Sequence, residues 1–143
     1  MPDSAAAPGA FSNYDGHLIL DASVQSLIKS AIVYSEDTNS VTFELRDPSG
    51  NVLQDVTHTV YPGAQSLIFN FMVPAGSGFE LGVDASSGNV GLFRNNAGSG
   101  NSLPYPFDIG TVSIVSSNAG DQYYYYYYAV SYTHLTLPTI CSV

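Results

Sequence analysis

The chain has 143 residues, 45% of them hydrophobic and 10% charged, which excludes a disordered segment and is typical of one folded domain. Three Lys and Arg stand against twelve Asp and Glu, so the net charge is −9, and we expect neither nucleic acid nor an anionic membrane surface as a partner. No apolar run approaches the roughly 20 residues that cross a bilayer, so we expect no membrane insertion.

Short apolar segments alternate with turn-forming residues along most of the chain. Residues 1–10 are small and interrupted by Pro and Gly, which predicts a linker before a domain that spans residues 11–129. No window of this domain has helical periodicity. Nine strands are predicted in it, at residues 17–21, 26–34, 41–46, 52–60, 67–73, 79–83, 90–94, 109–116 and 123–128.

The spacing of these strands predicts an all-β fold, an antiparallel two-sheet sandwich of the jelly-roll or immunoglobulin-like kind. Residues 47–51 form a turn, because Pro presets φ and Gly permits positive φ, so the strands on either side are expected to pair as a hairpin. Within each strand, alternate apolar side chains point inward. The predicted core consists of Leu18, Leu20, Val33, Phe43, Leu45, Leu67, Phe69, Phe71, Leu81, Val83, Leu92, Val112 and Ile114.

The two ends of the chain carry different signals. The first residues lack the basic and apolar regions of a secretory signal, so we expect either a cytoplasmic protein or a fragment of a longer chain. Residues 130–139 closely resemble the translation of a transposon-type sequencing adapter, which favours the fragment and predicts that residues 130–143 are a non-native tail. On that interpretation, Cys141 and His134 have no biological role. The alternative is a genuine C-terminal strand, since Thr, Tyr and Leu suit strands.

Eight segments carry a resemblance to a known kind of module. They are residues 16–21, 28–34, 43–54, 71–76, 79–83, 91–96, 105–107 and 116–128. Their pattern is similar to that of a β-sandwich accessory module of large secreted proteins from Gram-negative bacteria, often exported by the type IX route. The resemblance implies a noncatalytic domain, extracellular or at the cell surface, whose partners include neighbouring domains such as peptidases, glycosidases or adhesins. It implies neither a ligand nor catalytic residues.

Six consecutive tyrosines, residues 123–128, form the most unusual motif in the sequence. In an extended strand, Tyr124, Tyr126 and Tyr128 would face one side and the other three the opposite side. The interpretation we favour is structural, with one set filling the sandwich and the other covering an exterior face. The functional alternative is a platform that includes Tyr124 and Tyr126, because a flat ring with a polar tip suits the face of a sugar.

A second candidate site begins where a predicted strand ends. Arg94, Asn95 and Asn96 lead from that strand into a long loop that reaches Tyr105. The planar guanidinium and the two amides are able to bind a carboxylate or a pair of sugar hydroxyls, and loops at the ends of a sandwich often hold binding sites. The favoured alternative is structural, with an ion pair that anchors the loop and Asn residues in turn geometry.

Acidic side chains provide the third candidate site. Asp15, Asp21, Asp84 and Asp108 are able to supply oxygen ligands from separate loops, although no Asp-x-Asp-x-Asp-Gly loop is present. Residues 84–89 are more simply a turn. We therefore expect no cofactor, and we keep Ca²⁺ bound by Asp21, Asp84 and Asp108 as the alternative.

No enzyme signature appears in the sequence, which has neither a Gly-x-Ser-x-Gly nor a His-Glu-x-x-His motif. We therefore predict a noncatalytic binding or adhesion module of a secreted multidomain protein, with a glycan or a surface polymer as its ligand. An inert structural spacer is the alternative. A small glycoside hydrolase is the third hypothesis, because the chain has enough Asp and Glu for the carboxylate pair that such chemistry requires.

Overall fold

Two antiparallel β-sheets pack against each other in the computed structural model, which describes residues 9–86, 90–97 and 100–134. The predicted all-β two-sheet sandwich is therefore confirmed. The described residues contain no helix, and hence none long and apolar enough to cross a membrane. The strands are β1 (Gly9–Ser12), β2 (His17–Ala22), β3 (Ser26–Ser35), β4 (Asn39–Arg46), β5 (Val52–Val60), β6 (Gly63–Val73), β7 (Gly76–Val83), β8 (Leu92–Asn96), β9 (Phe107–Asp108), β10 (Val112–Ser117), β11 (Tyr123–Tyr125) and β12 (Tyr128–His134).

The strands divide evenly between the two sheets. One sheet has the order β5–β4–β7–β2–β10–β9. In the other sheet, β3 pairs with β6 and β12, β8 pairs with β1 and β11, and a short pairing of β3 with β8 joins the two halves. The chain changes sheet after β1, β2, β3, β5, β6, β7, β8 and β10, so most strands that are neighbours in sequence lie in opposite layers.

Alternating apolar side chains from both sheets meet in one core. Every core residue predicted from the sequence is at most 9% exposed, so the predicted core is confirmed. Strand β6 shows the pattern most clearly, because Leu67, Phe69 and Phe71 are buried while Ile68 and Asn70 between them are exposed. Burial of each such side chain contributes roughly 1.5–3 kcal/mol to the stability of the sandwich.

The hairpin predicted around residues 47–51 is confirmed by the pairing of β4 with β5. The Asp47 carboxylate accepts hydrogen bonds from the backbone N–H groups of Asn51 (2.9 Å) and Ser49 (2.8 Å), and Gly50 has a φ of 89°. These bonds favour the ionised carboxylate, so the pKa of Asp47 lies below its usual value. The turn chemistry seen in the sequence is therefore the chemistry that closes the hairpin.

The described residues form twelve strands, where nine were predicted. Strand β1 begins at Gly9, inside the segment interpreted as a linker, and the rest of that segment, residues 1–8, lies outside the described residues. Strand β8 continues through Asn95 and Asn96, which were assigned to a loop. The sequence signal was weak at these places because their strands pair through backbone groups, which need no apolar side chain.

The last described strand, β12, contains residues from the segment that resembles an adapter. It pairs with β3 from Tyr128 to His134, with two irregularities in the register. Val130 is 9% exposed, and the Tyr132 hydroxyl accepts a hydrogen bond from the Thr111 backbone N–H (3.3 Å). These residues therefore complete the sheet beside β3, as a C-terminal strand would, while residues 135–143 lie outside the described part of the chain.

Candidate functional site

An open cavity of about 280 Å³ lies where β8, β11 and the segment after β1 meet. We call it the tyrosine cleft, because three of its side chains are tyrosines. Its walls come from four separate parts of the chain, so only the folded sheet brings them together. The cleft is lined by Ser12, Tyr14, Arg94, Ala119, Tyr123 and Tyr125.

Strand register places the cleft on the outer face of its sheet. Tyr123 and Tyr125 are two residues apart on β11, so both side chains point to the same side of the sheet. Tyr124, between them, points into the core and is fully buried. Arg94 on β8 lies directly opposite Tyr125, and Ala10 of β1 lies on the other side of Arg94. Two long-range strand pairings therefore create this surface.

Three aromatic rings stack along the cleft. The ring of Tyr125 lies between those of Tyr14 and Tyr123, at centroid distances of 5.6 Å and 6.0 Å and interplanar angles of 31° and 13°. These distances lie within the range for favourable aromatic pairs. Tyr14 is 51% exposed and Tyr123 is partly exposed, whereas Tyr125 is 3% exposed. The stack therefore presents the two outer rings to solvent over a buried central ring.

Arg94 adds a positive charge to this aromatic wall. Its guanidinium carbon lies 5.1 Å from the centroid of the Tyr123 ring, a cation–π distance. Among the described residues, no carboxylate lies within salt-bridge distance of Arg94, whereas Arg46 makes three such pairs. The favoured expectation of an ion pair that anchors the loop is therefore wrong for the described part of the chain.

Hydrogen bonds of Tyr126 and Asn13 hold the stack in place. The Tyr126 hydroxyl donates a hydrogen bond to the backbone carbonyl of Tyr14 (2.7 Å), and burial raises the pKa of Tyr126 to about 12. The Asn13 side chain accepts hydrogen bonds from the backbone N–H groups of Val90 and Gly91, at 2.9 Å and 2.8 Å. The segment that carries Tyr14 is thus fixed at two points to the body of the sandwich.

A glycine is required directly behind the central ring. The backbone of Gly16 lies against the ring of Tyr125, where a Cβ atom would overlap with ring carbons. Gly16 is itself buried. The close approach therefore depends on the missing side chain, which lets Tyr125 lie flat between the two other rings.

The tyrosine run does not alternate between two faces, and that prediction is wrong beyond residue 125. Strand β11 ends at Tyr125, Tyr126 has a φ of 68°, and the strand resumes as β12 with Ala129 at a φ of 46°. These left-handed residues turn the chain, so all five tyrosines from 124 to 128 are at most 3% exposed. The run therefore fills the sandwich with members of both expected sets, and neither Tyr124 nor Tyr126 belongs to an exposed platform.

The other residues predicted for a site lie at different depths. Arg94 lines the cleft, whereas Asn95 is fully buried and Asn96 pairs with Tyr123 along the strands. Tyr105 is half-buried below the sheet surface, and its hydroxyl donates a hydrogen bond to the backbone carbonyl of Tyr123. Of this group, Arg94 alone reaches the cleft, while Tyr105 supports its wall.

Five of the six residues that line the cleft were not predicted as site residues from the sequence. Ser12 and Tyr14 lie next to the predicted linker, and Ala119 lies in the turn before β11. Tyr14 is the most exposed of the three rings, yet one tyrosine in a polar segment gives no signal of a site. The tyrosine run was the signal available in the sequence. It contributes Tyr123 and Tyr125 to the cleft, whereas Tyr124 and Tyr126 had been predicted.

The aspartates proposed as calcium ligands are used in local hydrogen bonds. Asp21 accepts one from the backbone N–H of Gly78 (3.1 Å), and Asp108 accepts one from the Ser113 hydroxyl (2.6 Å). Asp84 accepts one from the backbone N–H of Ser86 (2.9 Å). Within the described residues, no group of three or more potential metal ligands is present. The structure thus gives the three aspartates separate local roles.

A network of charged side chains surrounds Arg46 near the ends of β2, β4 and β7. The guanidinium nitrogens of Arg46 lie 2.9 Å from Glu44 Oε1, 3.4 Å from Asp15 Oδ1 and 3.7 Å from Glu80 Oε1. The His17 ring accepts a hydrogen bond from Arg46 at Nδ1 (3.4 Å) and faces Glu80 through Nε2 (3.4 Å). One guanidinium therefore bridges two glutamates.

The buried position of His17 makes stability depend on pH. Burial lowers the pKa of His17 below 6.5, with Arg46 acting in the same direction and Glu80 opposing it. The unfolded chain then binds a proton at this histidine more readily than the folded chain does. The contribution of His17 to stability is therefore fully present above about pH 6.5 and is lost as the pH falls through the pKa of the folded state. We expect the melting temperature to be lower at pH 5.5 than at pH 7.5.

The His17→Gln variant tests this assignment, because glutamine keeps a donor and an acceptor and does not titrate. Thermal melts at the two pH values should show a smaller decrease for the variant than for the natural chain. Equal decreases in the two proteins would contradict the assignment to His17.

Together, the fold and the cleft define an antiparallel two-sheet β-sandwich that has an aromatic, cationic cleft on the outer face of one sheet. No family model matches the chain, and comparisons with curated proteins and with solved structures gave no match. A function must therefore be inferred from the residues of the cleft.

Proposed function

We propose that this domain is a noncatalytic binding module for carbohydrate and that the tyrosine cleft is its binding site. The observation that carries the proposal is the stack of Tyr14, Tyr125 and Tyr123 beside Arg94 in an open cavity. Exposed aromatic faces pack against the apolar faces of sugar rings, and phenol hydroxyls bind sugar hydroxyl groups at their rim. The rings are held in place before any ligand arrives, which lowers the entropy lost on binding.

The charged network around Arg46 supports a binding role over hydrolysis. Glycoside hydrolysis needs one carboxylic acid and one carboxylate that act on either side of a bond. Glu44 and Glu80 are instead paired with the same guanidinium. The proposal also keeps the extracellular or cell-surface location and the neighbouring domains that the sequence resemblance implies, with surface polymers as the setting in which such a module would bind.

Alanine substitutions in the cleft test the proposal. On an array of oligosaccharides and polysaccharides, we expect specific binding that Tyr14→Ala and Tyr123→Ala each weaken by about tenfold or more, because each removes one stacking face. Tyr61→Ala is the matched control, since Tyr61 is 56% exposed, comparable with Tyr14, and lies between β5 and β6. No binding to any member of the array would favour an inert spacer, and equal loss of binding in all three variants would contradict binding in the cleft.

A further inference from the structure

The three cations of this chain have different surroundings. Arg46 is held by three carboxylates, and Lys29 occupies an exposed position on β3. Arg94 lines the cleft and lies over the Tyr123 ring. With a net charge of −9, positive charge is scarce in this protein, and one of its cations lies in the open cavity.

The surroundings of Arg94 indicate which kind of group would bind in the cleft. Acidic residues outnumber cations twelve to three, yet no carboxylate in the described ranges lies within salt-bridge distance of Arg94. A guanidinium that stacks on an aromatic face retains in-plane N–H donors, which match the two oxygens of a carboxylate. The cleft therefore offers an anion-binding edge next to stacked rings.

We infer that the cleft selects acidic saccharides, in which a carboxylate on the sugar ring binds Arg94 while the ring packs on the tyrosine stack. This inference rests on the proposed carbohydrate-binding function and adds the class of ligand. The Ser12 hydroxyl, which also lines the cleft, accepts a hydrogen bond from the Tyr14 backbone N–H (3.0 Å) and so helps to fix the position of Tyr14.

Pairs of ligands that differ only in charge test the inference. Isothermal titration of the full chain would compare oligogalacturonate and oligomannuronate with their methyl esters, which keep the ring and remove the charge. Sulfated galactan oligosaccharides and neutral oligogalactose and oligomannose complete the series. We expect at least one uronate to bind about tenfold or more tighter than its methyl ester, because hydrogen bonds to charged groups are stronger than neutral ones.

Two substitutions of Arg94 separate charge from shape. Arg94→Gln should make the uronate and its ester bind equally, and Arg94→Lys should recover part of the preference, because lysine keeps the charge and loses the planar fork. Lys29→Gln removes the same charge from an exposed position and should leave the preference unchanged. Circular dichroism of each variant confirms that the fold is intact.

The possible outcomes separate the inference from the function on which it rests. Equal binding of uronates and esters, with loss in Tyr123→Ala, overturns the acidic-ligand inference and retains carbohydrate binding. Preference for the sulfated series over the uronates overturns the carboxylate assignment. A preference that Arg94→Gln leaves intact also overturns it, and no binding to any member of the series overturns both proposals.

Discussion

Replacing Tyr127 by alanine is expected to lower the free energy of unfolding by about 3–5 kcal/mol. The side chain has no exposed surface, and its ring packs against Phe43 and Phe69 at centroid distances of 5.7 Å and 5.3 Å. Its hydroxyl donates a hydrogen bond to the backbone carbonyl of Gly82 (2.6 Å) on the opposite sheet. Alanine would leave a cavity between the sheets and remove that hydrogen bond.

Urea unfolding of three variants checks this expectation. Tyr127→Phe keeps the ring but leaves the Gly82 carbonyl without its donor, so it should cost about 1–3 kcal/mol. Tyr123→Ala comes from the same run but removes a partly exposed ring, so it should cost less than Tyr127→Ala. If the variants at positions 123 and 127 lose equal stability, the run does not fill the core as described.

Replacing Val130 by aspartate is expected to cost about 3 kcal/mol or more and to lower the melting temperature by roughly 10 °C. Val130 is 9% exposed and lies in β12, which completes the sheet next to β3. A carboxylate at this position would be removed from water without a partner. If β12 detached from the sheet, the edge of β3 would be exposed and aggregation would increase.

Ser131→Asp is the matched control, because Ser131 is the next residue of β12 and its side chain is exposed. Differential scanning calorimetry should show a decrease for Val130→Asp and little change for Ser131→Asp. Equal melting temperatures for the two variants would mean that this segment is not part of the folded sheet in solution. That result would agree with an origin of residues 130–143 in an adapter.

The fold was predictable from the sequence because strands leave a local signal. Leu67, Phe69 and Phe71 alternate with polar or exposed residues, and this alternation survives in β6. The turn at residues 47–51 is equally local, since its Pro, Gly and Asp act within five positions. Strand β1 was missed because its pairing partner, β8, lies far along the chain and no apolar pattern marks it.

The cleft was only partly predictable, because its geometry depends on distant pairings and on unusual backbone angles. Arg94 was singled out for its chemistry, but its neighbour Tyr14 lies 80 positions earlier in the chain and meets it through β1. The left-handed conformation of Tyr126 places that residue beneath the cleft, and tyrosine carries no local preference for it. Alternation therefore describes Tyr123–Tyr125, although it did not say which face is outward, and it fails at the next residue.

Binding of a saccharide in the tyrosine cleft is tested most directly by NMR. The backbone amide chemical shifts of the full chain are followed while an oligouronate is added. We predict that the largest changes cluster at Ser12, Tyr14, Arg94 and Tyr123, around the cleft. Changes centred on the exposed residues of β5 and β6, or no changes at saturating sugar, would contradict it.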